Sequence, residues 1–419
     1  MRIVHLSQWD VTGGAARAAY RLHQGLQRIG QESQMLVAAK SSDDPAVIQF
    51  KVPGDLPSLV WRRLRRERIT RDFRKYRASR PPGYELFSDD RSEYGSTLLA
   101  QIPECDVINL HWVSGMVDYE AFFSRIPASK PVVWTLHDMN PFTGGCHYDM
   151  GCGHYVTRCH ACPQLGSVRE RDLACRIWRR KQRVFSRVPA SRLHIVAPSR
   201  WLGEEAGRSS LFRNFSVSVV PYGLDLEAFA PRDQGGIRSL LCIPADARVA
   251  LFVADGLDNR RKGFALLVEA LNHCAAMVPG LMLMSLGPKP PQVNVRLPWM
   301  HLGSINNDRF LSMIYSAADV FVISSLQDNL PNTVLEAMAC GTPIIGVGVG
   351  GIAEMVRNGL NGVTVPRADA GALSAAVRDL MDGAAQRQEM KVTCRRIALE
   401  EYPLELQARR YLKIYESLL

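Results

Sequence analysis

No stretch of the 419-residue chain reaches the roughly 18 consecutive uncharged apolar residues that a membrane-spanning helix needs. The N-terminus, Met1-Arg2-Ile3-Val4-His5-Leu6, is too short an apolar run for a secretory leader. The protein is therefore expected to be cytoplasmic and at most peripheral to a membrane. No repeat with a period of about 20 to 50 residues is visible, which argues against a solenoid or propeller. No recognised nucleic-acid module accompanies the basic residues, so nucleic acid is not an expected partner.

What is present is ordinary in bulk and uneven in detail. Hydrophobic residues make up 47% and charged residues 22%, as in a globular protein long enough for two domains. The net charge is +10, but residues 62–80 alone carry ten Lys or Arg against Glu67 and Asp72. The basic balance therefore describes a patch. Leu59, Trp61, Leu64 and Ile69 are interleaved with these arginines, which suggests a basic amphipathic helix. A solvated face, contact with anionic lipid headgroups and nucleic-acid binding compete for it, in that order.

The chain organises itself around Asp328-Asn329-Leu330-Pro331-Asn332-Thr333-Val334-Leu335-Glu336-Ala337-Met338-Ala339-Cys340-Gly341. The apolar run 319–325 before it reads as a buried strand. Pro331 suits a first helical position and Gly341 a helix end. The pattern is thus strand, polar loop, short helix, with free N–H groups that attract phosphate. Asp328 and Glu336 frame that N-terminus.

The rest follows an α/β grammar. Strands are expected at 3–6, 33–38, 106–110, 132–136, 193–197 and 217–220, and again at 249–254, 281–286, 300–303 and 343–347. Gly13-Gly14 stands at the first strand-to-helix turn, where it either admits phosphate or sugar to the backbone or makes a tight turn. His111 and His137-Asp138 both follow strands, at the sheet edge where open α/β sheets bind ligands. Either histidine could instead be structural. Pro, Gly and charge enrich 222–236, read as a linker. This gives an N-terminal domain at 1–221 with a Cys-rich insert at 144–163, a C-terminal domain at 237–400, and a closing helix at 401–419. Two such halves imply a cleft.

Cys146, Cys152, Cys159 and Cys162 fall within 17 residues as C-x5-C-x6-C-x2-C. In a cytosolic protein this spacing suits a closed structural zinc site, with disulfides or free thiols as the alternative. In the C-terminal half, Arg260, Arg261 and Lys262 precede a helix. With the helix start at Asn332-Thr333 and the glycine turn 348–351 they could hold a diphosphate. Glu336 could accept from ribose hydroxyls, and Asp328 from a sugar hydroxyl.

These marks resemble a family-4 retaining glycosyltransferase of the two-domain GT-B fold, closest to the colanic-acid and exopolysaccharide enzymes. The resemblance spans nearly the whole chain. It is carried by Gly13-Gly14, Thr135-Leu136-His137-Asp138, the cysteine cluster, Ala197-Pro198-Ser199, Pro221-Tyr222-Gly223-Leu224-Asp225, Arg261-Lys262-Gly263 and Asp328 to Pro343. It implies two Rossmann-like α/β domains facing across a cleft, with the C-terminal helix crossing back to the N-terminal domain. It implies retaining transfer of a sugar, metal-independent and without a catalytic cofactor. The donor would be a UDP- or GDP-sugar, and the acceptor a saccharide, probably lipid-linked, in cell-surface glycan synthesis. Lys262, with Arg260 or Arg261, would neutralise the leaving diphosphate. Glu336 would bind the ribose. Asp328 would contact the donor sugar, with His137 nearby. Asn329, Leu330 and Thr333 would contact sugar and phosphate, and Gly13-Gly14 would admit donor phosphate or acceptor. Asp328 is one methylene shorter than the glutamate of the family pattern, which bears on the donor sugar. A non-catalytic nucleotide-sugar binder and a nucleotide-sugar epimerase of the same fold are the alternatives.

Overall fold

The computed structural model describes residues 1–289, 292–366 and 368–419. The chain divides into two units, Met1–Pro221 with Gln407–Leu419, and Tyr222–Leu406. Each is a parallel sheet with helices packed on it.

In the first unit the strands are β1 (Arg2–Trp9), β2 (Glu32–Ala39), β3 (Val47–Gln49), β4 (Val107–Leu110), β5 (Val132–Thr135), β6 (Leu193–Ala197) and β7 (Ser216–Val219). They form one parallel sheet in the order β3-β2-β1-β4-β5-β6-β7. β4 and β5 are buried at every residue, as expected where both faces are covered. Trp134 of β5 anchors the core against Tyr119, Phe185 and Phe212. The helix Leu404–Glu416 adds Tyr411 and Tyr415 to the same unit. The Tyr415 hydroxyl accepts from Asn109 Nδ2 at 2.7 Å, and the Tyr411 hydroxyl lies 3.0 Å from Thr135 Oγ1. All four residues are buried, so these polar ends are satisfied where water is absent.

The second unit carries β8 (Arg248–Val253), β9 (Leu281–Leu286), β10 (Trp299–His301), β11 (Val320–Ile323), β12 (Ile344–Val347) and β13 (Gly362–Val365). Their order is β10-β9-β8-β11-β12-β13, again all parallel. Its core joins Phe252, Leu267, Leu271, Leu283, Val322 and Leu373. Each sheet reverses its winding once, between β1 and β4 and between β8 and β11. The carboxyl ends of strands at such a reversal splay their loops apart and open a crevice.

Some sequence expectations shift. Residues 222–236 lie inside the second unit: the Arg232 guanidinium bonds the Glu227 and Ala228 carbonyls, and Arg395 bonds those of Leu226 and Phe229. Proline, glycine and charge there mark irregular backbone, which side chains nonetheless tie down. The return to the first unit comes at Gln407 rather than 401, because Glu401 pairs with Arg357 at 2.7 Å within the second unit. Pro331 is the N-cap of the helix Asn332–Ala339 instead of its first residue. The basic stretch forms the helix Leu56–Arg74, capped by Asp55 and burying none of its residues. Leu56, Leu59, Val60, Trp61 and Leu64 are exposed, Trp61 at 64%, while Phe73 packs against Phe87 of the first unit's core.

Candidate functional site

The loops after β8, β11 and β12 meet at the reversal of the second sheet. After β8, Asn259 caps a short 3-10 turn, Arg260–Lys262, by accepting from the Arg261 N–H. The turn sends Arg261 inward and leaves Arg260 exposed. After β11 comes Asp328, buried at the sheet edge. Its Oδ2 takes Lys262 Nζ at 2.8 Å, Arg261 Nη1 at 3.1 Å and the Ser325 hydroxyl at 3.1 Å. Its Oδ1 accepts from the Asn329 N–H at 3.1 Å. Arg261 also donates to the Gln327 carbonyl at 2.7 Å, and its own carbonyl accepts from the Leu326 N–H at 2.7 Å. After β12 the glycine turn folds onto the same residue, and the Gly351 N–H bonds the Asp328 carbonyl at 3.1 Å.

Burial pushes the Asp328 carboxyl up, but Lys262, Arg261 and the hydrogen bonds outweigh it and hold the group well below the ordinary carboxylate range. Two cations on one carboxylate leave a positive charge in excess. The arrangement can receive an anion while keeping its cations ordered.

The helix Asn332–Ala339 follows. Asn329 and Leu330 are buried before it, Thr333 is half-buried in its first turn, and Glu336 is buried one turn on. Glu336 accepts from the Tyr315 hydroxyl at 3.0 Å, which orients it. The structure thus brings together Arg261, Lys262, Asp328 and Asn329. It also gives Asp328 a task the sequence did not suggest, namely holding the two cations.

In the first unit Gly13, with φ 85°, precedes the helix Gly14–Arg28 that follows β1. His137 follows β5 and is buried, its Nε2 3.0 Å from Nδ1 of His111. Burial lowers the His137 pKa to about 4 and that of His111 well below the usual imidazole value, so both are neutral at pH 7. Asp138 accepts from the Trp112 indole at 2.9 Å and from the Asn140 N–H at 2.8 Å, and stands 2.6 Å from His147 Nδ1. Trp112 stacks between Trp9 and His147, with ring centroids 5.2 and 5.3 Å away. Trp9, Trp112, Ser325 and Tyr315 carry no signal in the sequence, because each acquires its partner only through the fold; His147, a candidate to replace a cysteine in the zinc set, instead pairs with Asp138.

Cys146, Cys159 and Cys162 are buried and Cys152 is half-buried, all as free thiols. Burial, and then the neighbouring thiols, push the Cys146 pKa well above the usual thiol range. Burial pushes Cys162 up to about 12. Among the described residues no group of three or more His, Cys, Asp or Glu side chains is arranged to hold a metal ion.

Comparison with known proteins places these observations. Residues 247–383 match the family described as Glycosyl transferases group 1. The chain is 34% identical over 197 residues to the D-inositol 3-phosphate glycosyltransferase of Geodermatophilus obscurus, covering 43% of each chain. It is 29% identical over 180 residues to that of Mycolicibacterium smegmatis, covering 40% of each. The aligned region thus spans less than half the length of these relatives. Among solved structures, the sucrose-phosphate synthase of Thermosynechococcus elongatus superposes with a TM-score of 0.67 at 20% identity, covering 100% of this chain and 99% of that one. HepE of Anabaena, in complex with UDP and glucose, superposes with a TM-score of 0.67 at 15% identity, covering 100% of both. The fold is that of the GT-B glycosyltransferases, and the segment that carries Arg261, Lys262, Asp328 and Glu336 matches the Glycosyl transferases group 1 family.

Proposed function

We propose that the chain transfers a sugar from a nucleoside-diphosphate sugar to a saccharide acceptor. The observation that carries this reading is the Arg261–Lys262–Asp328 cluster at the reversal of the second sheet. It lies within the segment that matches the glycosyltransferase family. Lys262 and Arg261, joined by exposed Arg260, meet the charge that develops on the departing diphosphate. Asp328 keeps buried Arg261 and half-buried Lys262 ordered before the donor arrives, so little reorganisation is needed during reaction. Glu336, oriented by Tyr315, accepts from the ribose. The acceptor hydroxyl attacks on the face the diphosphate leaves, with retention, and the leaving phosphate takes its proton. Side-chain cations act here in place of a metal.

HepE, solved with UDP-glucose, supports a UDP-sugar as the first donor to try. GDP-sugars are the second. A lipid-linked acceptor of a cell-surface glycan, and the likeness to colanic-acid enzymes, rest on the sequence resemblance. Exposed Leu59, Trp61 and Leu64 among the arginines of helix Leu56–Arg74 support docking on anionic lipid. No helix among the described residues is long and apolar enough to cross a membrane. The structural zinc remains a proposal of the cysteine spacing, checked by elemental analysis of freshly purified protein.

The deciding experiment incubates purified protein with UDP- and GDP-sugars, with and without saccharide acceptors, and separates the products. Acceptor-dependent sugar transfer supports the reading. Donor converted to an isomer without acceptor indicates an epimerase, and binding without turnover indicates a non-catalytic relative.

A further inference from the structure

Five buried side chains of the first unit are joined in one hydrogen-bonded line. His137 Nε2 lies 3.0 Å from His111 Nδ1, and His111 Nε2 lies 2.9 Å from His5 Nδ1. His5 Nε2 lies 3.1 Å from Ser33 Oγ, which lies 2.8 Å from His23 Nδ1. His23 Nε2 then faces Asp44 Oδ2 at 3.4 Å without completing a hydrogen bond. All four histidines and Ser33 are at most 8% exposed, while the Asp44 side chain is 15% exposed. The line runs from the carboxyl edge of β5, past β4, β1 and β2, to the loop before β3.

The protons in this line are not independent. A neutral imidazole has one N–H and one acceptor nitrogen. Burial keeps His5, His23, His111 and His137 neutral at pH 7. Asp44 can only accept: its Oδ2 takes the Tyr20 hydroxyl at 3.1 Å and its Oδ1 the Ala46 N–H at 2.8 Å. The His23 nitrogen that faces Asp44 must therefore carry the proton, since two acceptors would repel there. His23 Nδ1 then accepts from the Ser33 hydroxyl, which accepts from His5 Nε2. His5 Nδ1 accepts from His111 Nε2, and His111 Nδ1 accepts from His137 Nε2. Every donor points toward Asp44. The opposite sense would set a lone pair against the carboxylate.

We propose that Asp44, His23 and Ser33 are positioning residues that fix His137 as its Nε2–H tautomer, with Nδ1 the acceptor nitrogen. The proposal rests on the family resemblance, which implies that His137 stands near the transferred sugar. On that reading, the line decides that His137 accepts from a hydroxyl there through Nδ1, although Asp44 itself is far from it along the chain of contacts.

The test is read on the whole protein without substrate. Histidine labelled with nitrogen-15 reports the tautomer of each ring in long-range proton–nitrogen correlation spectra at neutral pH. Wild-type protein is expected to show His137, His111 and His5 protonated on Nε2. Asp44→Asn keeps the shape but adds a donor facing His23, and Ser33→Ala cuts the line. In each, the Nδ1–H form of His137 should appear. Ser33→Thr, which keeps the hydroxyl, should restore the wild-type pattern. His194, His273 and His301 lie outside the line and serve as internal references for an intact fold. His137 found as Nδ1–H in wild-type protein, or left unchanged by either Asp44→Asn or Ser33→Ala, overturns the proposal. Because no sugar is involved, failure to detect transfer would remove the functional reading and leave this result standing.

Discussion

Lys262 Nζ and Asp328 Oδ2 stand 2.8 Å apart, and that oxygen also serves Arg261. The carboxylate is thus the hub on which the cationic side of the site is assembled. Lys262→Ala removes the half-exposed cation and leaves Arg261 to answer Asp328. Sugar transfer should fall by about 10²–10³-fold, with the circular dichroism spectrum unchanged. Activity within a factor of two of wild type would sink the assignment of Lys262 to the diphosphate.

The same hub carries a pH dependence. The folded-state pKa of Asp328 is depressed below its ordinary value of 3.8. Its contribution to stability is therefore complete above that value and drains away as pH falls toward the folded value. Asp328→Asn should cost about 3–5 kcal/mol at neutral pH, since it leaves buried Arg261 without its carboxylate. The gap between variant and wild type in urea unfolding should narrow as pH drops below about 4. A gap that stays constant down to pH 2.5 would count against the ion pair as its source.

Gly350 makes the third side of this site possible. Its φ is +53°, and a Cβ placed there would lie 2.0 Å from the Asp328 carbonyl oxygen. Gly350→Ala should therefore displace the turn and lower stability by at least about 2 kcal/mol. Donor binding, followed by isothermal titration, should weaken in parallel. A loss under about 0.5 kcal/mol would show that the turn tolerates the methyl group.

In the first unit, Asn109 and Tyr415 form a buried polar pair. Tyr415→Phe strands the Asn109 amide and should cost about 1–3 kcal/mol in denaturant unfolding. Asn109→Leu in the Tyr415→Phe background should recover part of it, because neither polar end is then left alone. Additive losses in the double variant would refute direct coupling.

Much of the fold was legible because both sheets are parallel. Their strands are short apolar runs alternating with helices, so eleven of the thirteen strands among the described residues fall on stretches readable by pattern. The two missed, Val47–Gln49 and Gly362–Val365, are edge strands of three and four residues whose extended state comes from pairing with β2 and β12. The site was legible in composition and not in pairing. Asp328, Lys262 and Glu336 stand out as charges next to apolar runs. That Asp328 would turn toward Lys262 depends on which strands are neighbours, and no local pattern states that β8 lies beside β11. The line of histidines left traces in the sequence: His111 and His137 follow strands, and His5 interrupts the first apolar strand. Its partners come from Ser33, His111 and His23, scattered over about a hundred residues of sequence.

The tyrosine pairs also bear on when this protein becomes whole during synthesis. Asn109 is two residues from His111, yet its partner Tyr415 lies 306 positions later. Thr135, two residues from His137, waits 276 positions for Tyr411. While the ribosome is making the second unit, β4 and β5 therefore hold two polar groups with their final partners still untranslated. The second unit, continuous in sequence, can complete its own core first. The histidine-bearing edge of the first sheet is finished by residues that leave the exit tunnel after the second unit. An immature chain thus carries a formed anion cradle in one unit before the other is sealed.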